Sequence, residues 1–280
     1  MASGTLAPNF GSDYEWSGPG GCAATDSALT VTSNGGAGAN WRGSTGFNGD
    51  NNPQMGSPTA TAPVTITNPF SLGWNSSVRL FDNPASNDDI SILSGDLTMG
   101  GNYTLQINGT GTLSLEGTNE FNTGTLQLNN GVVVRAVDGV GLDSSAKLYF
   151  NNGILESSGS FTRDINNSAG DVYWQNRGGF AANGGPLTVN LEGGIQLDWN
   201  NAGTGFRNQN PLYLGTDTAD DVVTLQNDIF LNGNRTIQVD DNPDTTNDYA
   251  VVSGVISGSG NSLTKTGDGK LLLNGVNTYT

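Results

Sequence analysis

Histidine is missing altogether from the 280 residues, and cysteine occurs once, at Cys22. Without imidazole the chain has no Ser-His-Asp triad, no His-ligated zinc and no side chain suited by default to proton transfer near neutral pH. One thiol forms neither an intrachain disulfide nor a cysteine-rich zinc site, so stability has to come from packing. Positive charge is also scarce. Ten Lys plus Arg stand against 26 Asp plus Glu, a formal charge of −16 that repels phosphate backbones and anionic bilayers and disfavours nucleic-acid partners. No apolar run approaches the roughly 18 residues of a membrane-crossing helix, and membrane insertion is not expected. Met1 to Phe10 lacks the basic and apolar parts of a secretion signal.

What the chain has in abundance is turn chemistry. It carries 42 Gly and much Asn, Thr and Ser, with 34% apolar and 13% charged residues. That composition speaks against long helices and for a thin, regularly spaced core. Seven of the ten prolines, from Pro8 to Pro84, lie in the first 84 residues with Trp16, Trp41 and the Gly/Asn-rich run 34–40. Residues 1–62 are therefore expected to form an irregular N-terminal cap, and residues 63–280 the regular body.

From Val64 onward, short segments alternate apolar and polar residues: Val64-Thr-Ile66, Leu105-Gln-Ile107, Leu113-Ser-Leu115, Leu126-Gln-Leu128, Leu187-Thr-Val189 and Ile237-Gln-Val239. Period two puts the aliphatic side chains on one face of each strand. Sandwiches and barrels share this spacing. An internal repeat favours stacking instead. Gly109 to Phe121 aligns without gaps on Gly267 to Tyr279, 158 residues on (109 to 267), and both keep Gly-x-Gly-x-Leu-x-Leu-x-Gly-x-Asn-x-aromatic. A repeated turn–strand–turn unit belongs to architectures in which each rung buries its face against its neighbours.

The stretch Gly254-Val-Ile-Ser-Gly-Ser-Gly-Asn-Ser-Leu-Thr-Lys-Thr-Gly-Asp-Gly-Lys-Leu-Leu-Leu-Asn-Gly-Val-Asn-Thr-Tyr-Thr280 closely resembles the autotransporter-associated β-strand repeat of bacterial surface-protein passenger regions. Segments 231–239 and 178–189 are similar to the connecting parts of such proteins, and the resemblance covers roughly residues 95–280. It implies an all-β, right-handed parallel β-helix, or β-solenoid, at the cell surface or outside the cell, with repeats that act as scaffold. These residues contain no membrane barrel, so the resemblance does not extend to export through a self-encoded pore.

Members of that family commonly continue past Tyr279-Thr280 with a Gly-Thr strand, as Asn122-Thr-Gly-Thr-Leu-Gln-Leu128 does after the first copy. The N-terminal Ser3-Gly-Thr-Leu6 resembles Thr123-Gly-Thr-Leu126. Two readings follow: a fragment of a longer repeat protein, or subunits stacking head to tail into a filament. In the second, Ser3, Gly4, Thr5 and Leu6 of one copy meet Asn277, Thr278, Tyr279 and Thr280 of another.

Carboxylates are the only candidates for catalysis, in the clusters Asp88-Asp89, Asp220-Asp221 and Asp240-Asp241-Asn-Pro-Asp244. Paired acids can cleave polysaccharides, but adjacent Asp in polar turns more often cap and solvate them. Asp240, Asp241, Asp244 and Asp248 also offer oxygen ligands for calcium, the one ion considered; otherwise no cofactor is expected. Gly35-Gly-Ala-Gly-Ala-Asn40 lacks the Asp of calcium-binding β-rolls, and Lys265-Thr-Gly-Asp-Gly-Lys270 lacks the helix of a phosphate loop. Tyr149, Phe150, Tyr173, Trp174 and Trp199 would form a sugar platform if several faced outward, although alternation places one of each adjacent pair inside. The expectation is thus a non-enzymatic structural module, scaffold or fibre subunit. A glycan-binding adhesin is the alternative, and a β-helical polysaccharide lyase or hydrolase a further one.

Overall fold

The computed structural model describes residues 2–6, 20–41, 52–201, 205–207 and 209–280. Its regular elements are strands, apart from two single 3-10 turns at Asn34–Gly36 and Glu192–Gly194. The chain divides into two compact units, Met1–Lys147 and Leu148–Thr280.

In the first unit the chain visits three sheets in rotation. One contains Gly21–Cys22, Gln54–Gly56, Ser76–Phe81, Thr104–Gly109 and Thr125–Asn129. The second contains Ala2–Leu6, Ala24–Val31, Val64–Ile66, Ser91–Leu93, Thr112–Leu115 and Val133–Arg135, and the third Ala39–Asn40, Phe70–Leu72 and Leu97–Met99. Neighbours within each sheet are parallel: Leu29 pairs with Val64, Val64 with Ser91, and Ser91 with Leu113. Parallel neighbours require the chain to return to the same end of the sheet. Here the return runs through the other two sheets, not through a helix. The sheets do not close into a barrel.

In-register stacking brings like onto like. Leu105 lies on Leu126, Gln106 on Gln127 and Ile107 on Leu128. The four aliphatic side chains are fully buried, while the glutamines face outward. Each buried Leu or Ile contributes about 1.5–3 kcal/mol, so short strands suffice if every pass adds such a pair. Residues 1–62, expected as an irregular cap, include paired strands among the described residues, such as Ala24–Val31 in register with Val64–Ile66.

The second unit follows the same rotation. The long strand Gly178–Val189 pairs with Gly153–Phe161 on one side. On the other it meets Leu212–Leu214 through Gly178–Phe180 and Val223–Leu225 through Leu187–Val189. Arg235–Gln238 and Leu263–Thr266 extend the first of these branches, and Ala250–Val252 and Leu271–Leu273 the second. Leu197–Asp198, Ile229–Phe230 and Ile256–Ser257 form the third sheet. The interior holds an aromatic cluster in which Trp174 lies 4.6 Å from Phe150 and 4.9 Å from Phe206, with Trp199 5.2 Å from Phe206.

The two units repeat one another down to individual hydrogen bonds. Gly20-Gly-Cys-Ala-Ala24, then Leu29-Thr-Val31, recurs 158 residues on (20 to 178) as Gly178-Gly-Phe-Ala-Ala182, then Leu187-Thr-Val189. The 3-10 turns correspond, with Gly35 at φ 65° and Gly193 at φ 61°. Ser33 N donates to Asn68 Oδ1 at 2.7 Å, and Asn68 Nδ2 donates to Ser33 O and Ala37 O at 2.8 Å each. In the second unit Leu191 N donates to Asn227 Oδ1 at 2.8 Å, and Asn227 Nδ2 to Leu191 O and Ile195 O at 2.7 and 2.9 Å. The correspondence runs from 20–121 to 178–279, well beyond the pair of 13-residue motifs visible in the sequence.

Candidate functional site

The acidic loops are built alike and mainly hold themselves. Asp89 and Asp248 are buried, and each accepts a backbone N–H through Oδ2, from Asn83 at 2.8 Å and from Asn242 at 2.6 Å. Asn83 Oδ1 accepts from Ala85 N at 3.2 Å and its Nδ2 donates to Ala60 O at 2.7 Å. Asn242 does the same with Asp244 N at 3.1 Å and Ala219 O at 2.7 Å. Such a turn satisfies backbone groups where the strands end.

The remaining acids diverge. Asp240 accepts from Gln238 Nε2 at 2.9 and 3.0 Å, Asp220 accepts from Gly184 N at 2.9 and 3.1 Å, and Asp221 Oδ1 accepts from Val222 N at 2.7 Å. Asp88, Asp241 and Asp244 are exposed. Among the described residues no group of three or more His, Cys, Asp or Glu is placed to hold a metal ion. Lys265 Nζ donates to Gly267 O within its own turn.

The residues expected at a head-to-tail interface occupy strand and corner positions. Gly4, Thr5 and Leu6 pair with Leu29, Thr30 and Val31, as Gly159, Ser160 and Phe161 pair with Leu187, Thr188 and Val189. Ser3 lies in the same strand, Ala2–Leu6. Asn277 Oδ1 accepts from Ile256 N at 2.8 Å, Thr278 N donates to Ile256 O at 2.9 Å, and Thr280 Oγ1 accepts from Gly260 N at 2.8 Å. Tyr279 is half-buried.

Alternation sorts the aromatic residues. Phe150, Trp174 and Trp199 point inward and are buried, whereas Tyr149 and Tyr173 are half-buried on the outer face. The two tyrosines, in register across Leu148–Phe150 and Val172–Trp174, stack with ring centroids 4.9 Å apart and planes at 33°. The Arg207 guanidinium lies 4.9 Å from the Tyr173 centroid, and its Nη1 donates to Tyr173 Oη and, at 3.1 Å, to Gln175 Oε1. The inner ring faces are therefore taken by the ladder, which presents hydroxyls, amides and guanidinium edges. Beside it, Arg177 donates from Nη1 to Tyr213 Oη and from Nε to Asn152 Oδ1, each at 3.2 Å, and Asn176 Nδ2 donates to Asn151 Oδ1 at 2.6 Å. Burial, with Tyr173 alongside, pushes the Tyr149 phenol above its usual range against the pull of Arg207.

Sequence reasoning missed several polar groups. Arg207, Arg177 and Tyr213 carry no local motif, because only the passes between them bring them together. Glu156 is buried, with its Oε1 accepting from the Thr216 and Thr218 hydroxyls. The corner asparagines Asn68 and Asn227 were hidden in an Asn-rich background, although each stands two residues after an apolar–polar–apolar triplet, Val64-Thr-Ile66 and Val223-Thr-Leu225. Burial pushes the Cys22 thiol up, which keeps it neutral.

No family model matches the chain, and no curated protein matches it. Among solved structures, one similarity is to the crystal structure of an ice binding protein from an Antarctic bacterium, Flavobacteriaceae, at 9% identity, covering 98% of this chain and 79% of that one with a TM-score of 0.13.

Proposed function

We propose that the chain is a right-handed parallel β-helix that serves as a non-enzymatic structural module at the cell surface or outside the cell, as a scaffold or as a fibre subunit stacking head to tail. What supports this reading is the repetition of whole hydrogen-bonded passes in both units, with Asp89, Asp248 and Asp221 bonded within their own loops and Asp220 bonded to the backbone of the neighbouring pass. A chain whose buried carboxylates and amides satisfy strand ends is organised for rigidity. The strand Gly4–Leu6 sits on Leu29–Val31 as an interior strand of the second unit sits on Leu187–Val189, which suits it to take part in a continuing stack. Electron microscopy of concentrated protein tests the fibre arm: filaments are expected, and their loss in a chain lacking residues 2–6. Monodisperse particles at every concentration, or unchanged filaments from the shortened chain, would remove it.

A second reading, a glycan-binding adhesin module, is favoured by one observation: the outward Tyr149–Tyr173–Arg207 ladder with its fringe of amides.

A further inference from the structure

We propose that the outer face formed by residues 148–152 and 172–177, with Arg207 and Tyr213, binds an acidic polysaccharide, its isolated carboxylate or sulfate groups meeting Arg177 and Arg207 and its hydroxyls meeting the tyrosines and amides. The proposal rests on the glycan-binding reading and adds the class of glycan. Three observations carry it.

The first is uncompensated charge. In a chain with 26 acidic against ten basic residues, the described hydrogen bonds of Arg177 and Arg207 go to neutral oxygens, those of Tyr213, Asn152, Tyr173 and Gln175. A guanidinium presents five N–H donors in a fork that fits a carboxylate or sulfate. Neutral acceptors hold it in place without cancelling its charge. Tyr173 and Tyr213 each accept a guanidinium N–H at Oη, so their own hydroxyl protons are left to donate elsewhere.

The second is that the duplicated architecture does not require this face. The residue on Gly21 that corresponds to Tyr213 on Gly179 is Gln54. Sequence alignment of the two halves puts Glu15, Pro19 and Asn48 where Tyr173, Arg177 and Arg207 stand. The corner asparagines recur in both units, whereas the sequence of the first unit has no like residue at the positions aligned with Tyr173, Arg177, Arg207 and Tyr213.

The third is the spacing of charge. Two guanidiniums set among neutral amides and phenols suit a hydroxyl-rich chain with sparse negative groups. A nucleic acid, with one charge per residue, would meet repulsion from the remaining surface.

The test is calorimetric titration of the full chain, near 0.15 M salt, with two sparsely charged acidic glycans (hyaluronan oligosaccharides, which carry one carboxylate per disaccharide, and dextran of low sulfate substitution), neutral dextran and double-stranded DNA. Binding of the two acidic glycans and not of dextran is expected. Arg177→Gln, at an exposed side chain, should weaken it severalfold, and Arg177→Gln with Arg207→Gln by about tenfold or more, with thermal unfolding of the single variant unchanged. Tyr173→Phe, which keeps the ring, should weaken it less. Equal binding of dextran would overturn the acidic class while leaving the glycan reading intact. No binding of any glycan would overturn both. Tighter binding of DNA, or acidic-glycan binding unchanged by Arg177→Gln, would remove this face as the site.

Discussion

Asn227 and Leu191 exchange two hydrogen bonds between successive passes of the chain, Leu191 N donating to Asn227 Oδ1 at 2.8 Å and Asn227 Nδ2 returning to Leu191 O at 2.7 Å. The amide thus does the work of a strand's N–H and C=O at a corner where the backbone itself turns away. A third bond, to Ile195 O at 2.9 Å, ties down the 3-10 turn, and the side chain is buried. Asn227→Asp removes both donated bonds and sets carboxylate oxygens against two carbonyls, at a cost of about 3 kcal/mol or more. Asn68→Asp should cost a similar amount in the first unit. Chemical denaturation midpoints check both; a loss below about 1 kcal/mol in either would contradict the role given to these amides.

Two glycines separate close approach from backbone conformation. Gly254 sits where an added Cβ would lie 2.1 Å from Asn227 O and 2.4 Å from its carbonyl carbon, so Gly254→Ala has to push one pass away from the next. Gly193 has φ 61° and nothing within 4 Å of such a Cβ, so Gly193→Ala costs only the left-handed backbone penalty of about 1 kcal/mol. Thermal unfolding should place Gly254→Ala well below Gly193→Ala. The reverse order would mean that the stacked passes are looser than the contacts indicate.

Strand content was legible because burial and alternation have the same cause. Leu113 and Leu115 are buried as period two requires, and so are Leu187 and Val189. The repeated Leu271 and Leu273 are only half-buried, because burial depends on what packs over a strand and not on its own pattern. Most of the duplication escaped notice since its equivalences rest on turn residues with few shared letters, and the offset drifts from 158 (Ser33 to Leu191) to 159 (Asn68 to Asn227). Even so, Asp82-Asn-Pro84 and Asp241-Asn-Pro243, each followed by a buried Asp, were readable as the same loop. The outward face was half legible: alternation put one member of each pair, Tyr149-Phe150 and Tyr173-Trp174, inside without fixing which, and no sequence spacing links the tyrosines to Arg207.

Asp143 makes acid stability a further test. Burial raises its pKa, but hydrogen bonds from Ser145 N at 2.9 Å, Ser145 Oγ at 2.9 Å, Asn122 N at 3.0 Å and Phe121 N at 2.9 Å outweigh that and hold the carboxyl below its usual range. The unfolded chain binds the proton first as pH falls, so the contribution is fully present above the ordinary carboxylate value of about 3.9 and is lost as pH drops through the lower folded value. Asp143→Asn should therefore be less stable than the parent near neutrality, with the gap narrowing below pH about 4. A gap independent of pH, in denaturation curves from pH 2 to 7, would mean that the ionised form is not what the four donors favour.

Arg235 is a buried cation with carbonyl partners. Its Nε and Nη2 donate to Trp199 O at 3.1 and 2.8 Å, its Nη1 to Asn234 O at 2.9 Å, and Nη2 also to Asn232 O. Burial lowers its pKa, partly offset by Asp198, yet a guanidinium stays charged at any pH the fold survives. The fork is what matters, since three carbonyls from one corner converge on one planar group. Arg235→Lys keeps the charge but supplies a single ammonium that cannot span them, and it should cost about 2 kcal/mol or more. Arg235→Met removes the buried charge together with the donors, so its loss should be no larger than that of Lys. Denaturation midpoints for the pair decide: if Lys is tolerated and Met is not, charge and not geometry holds this corner.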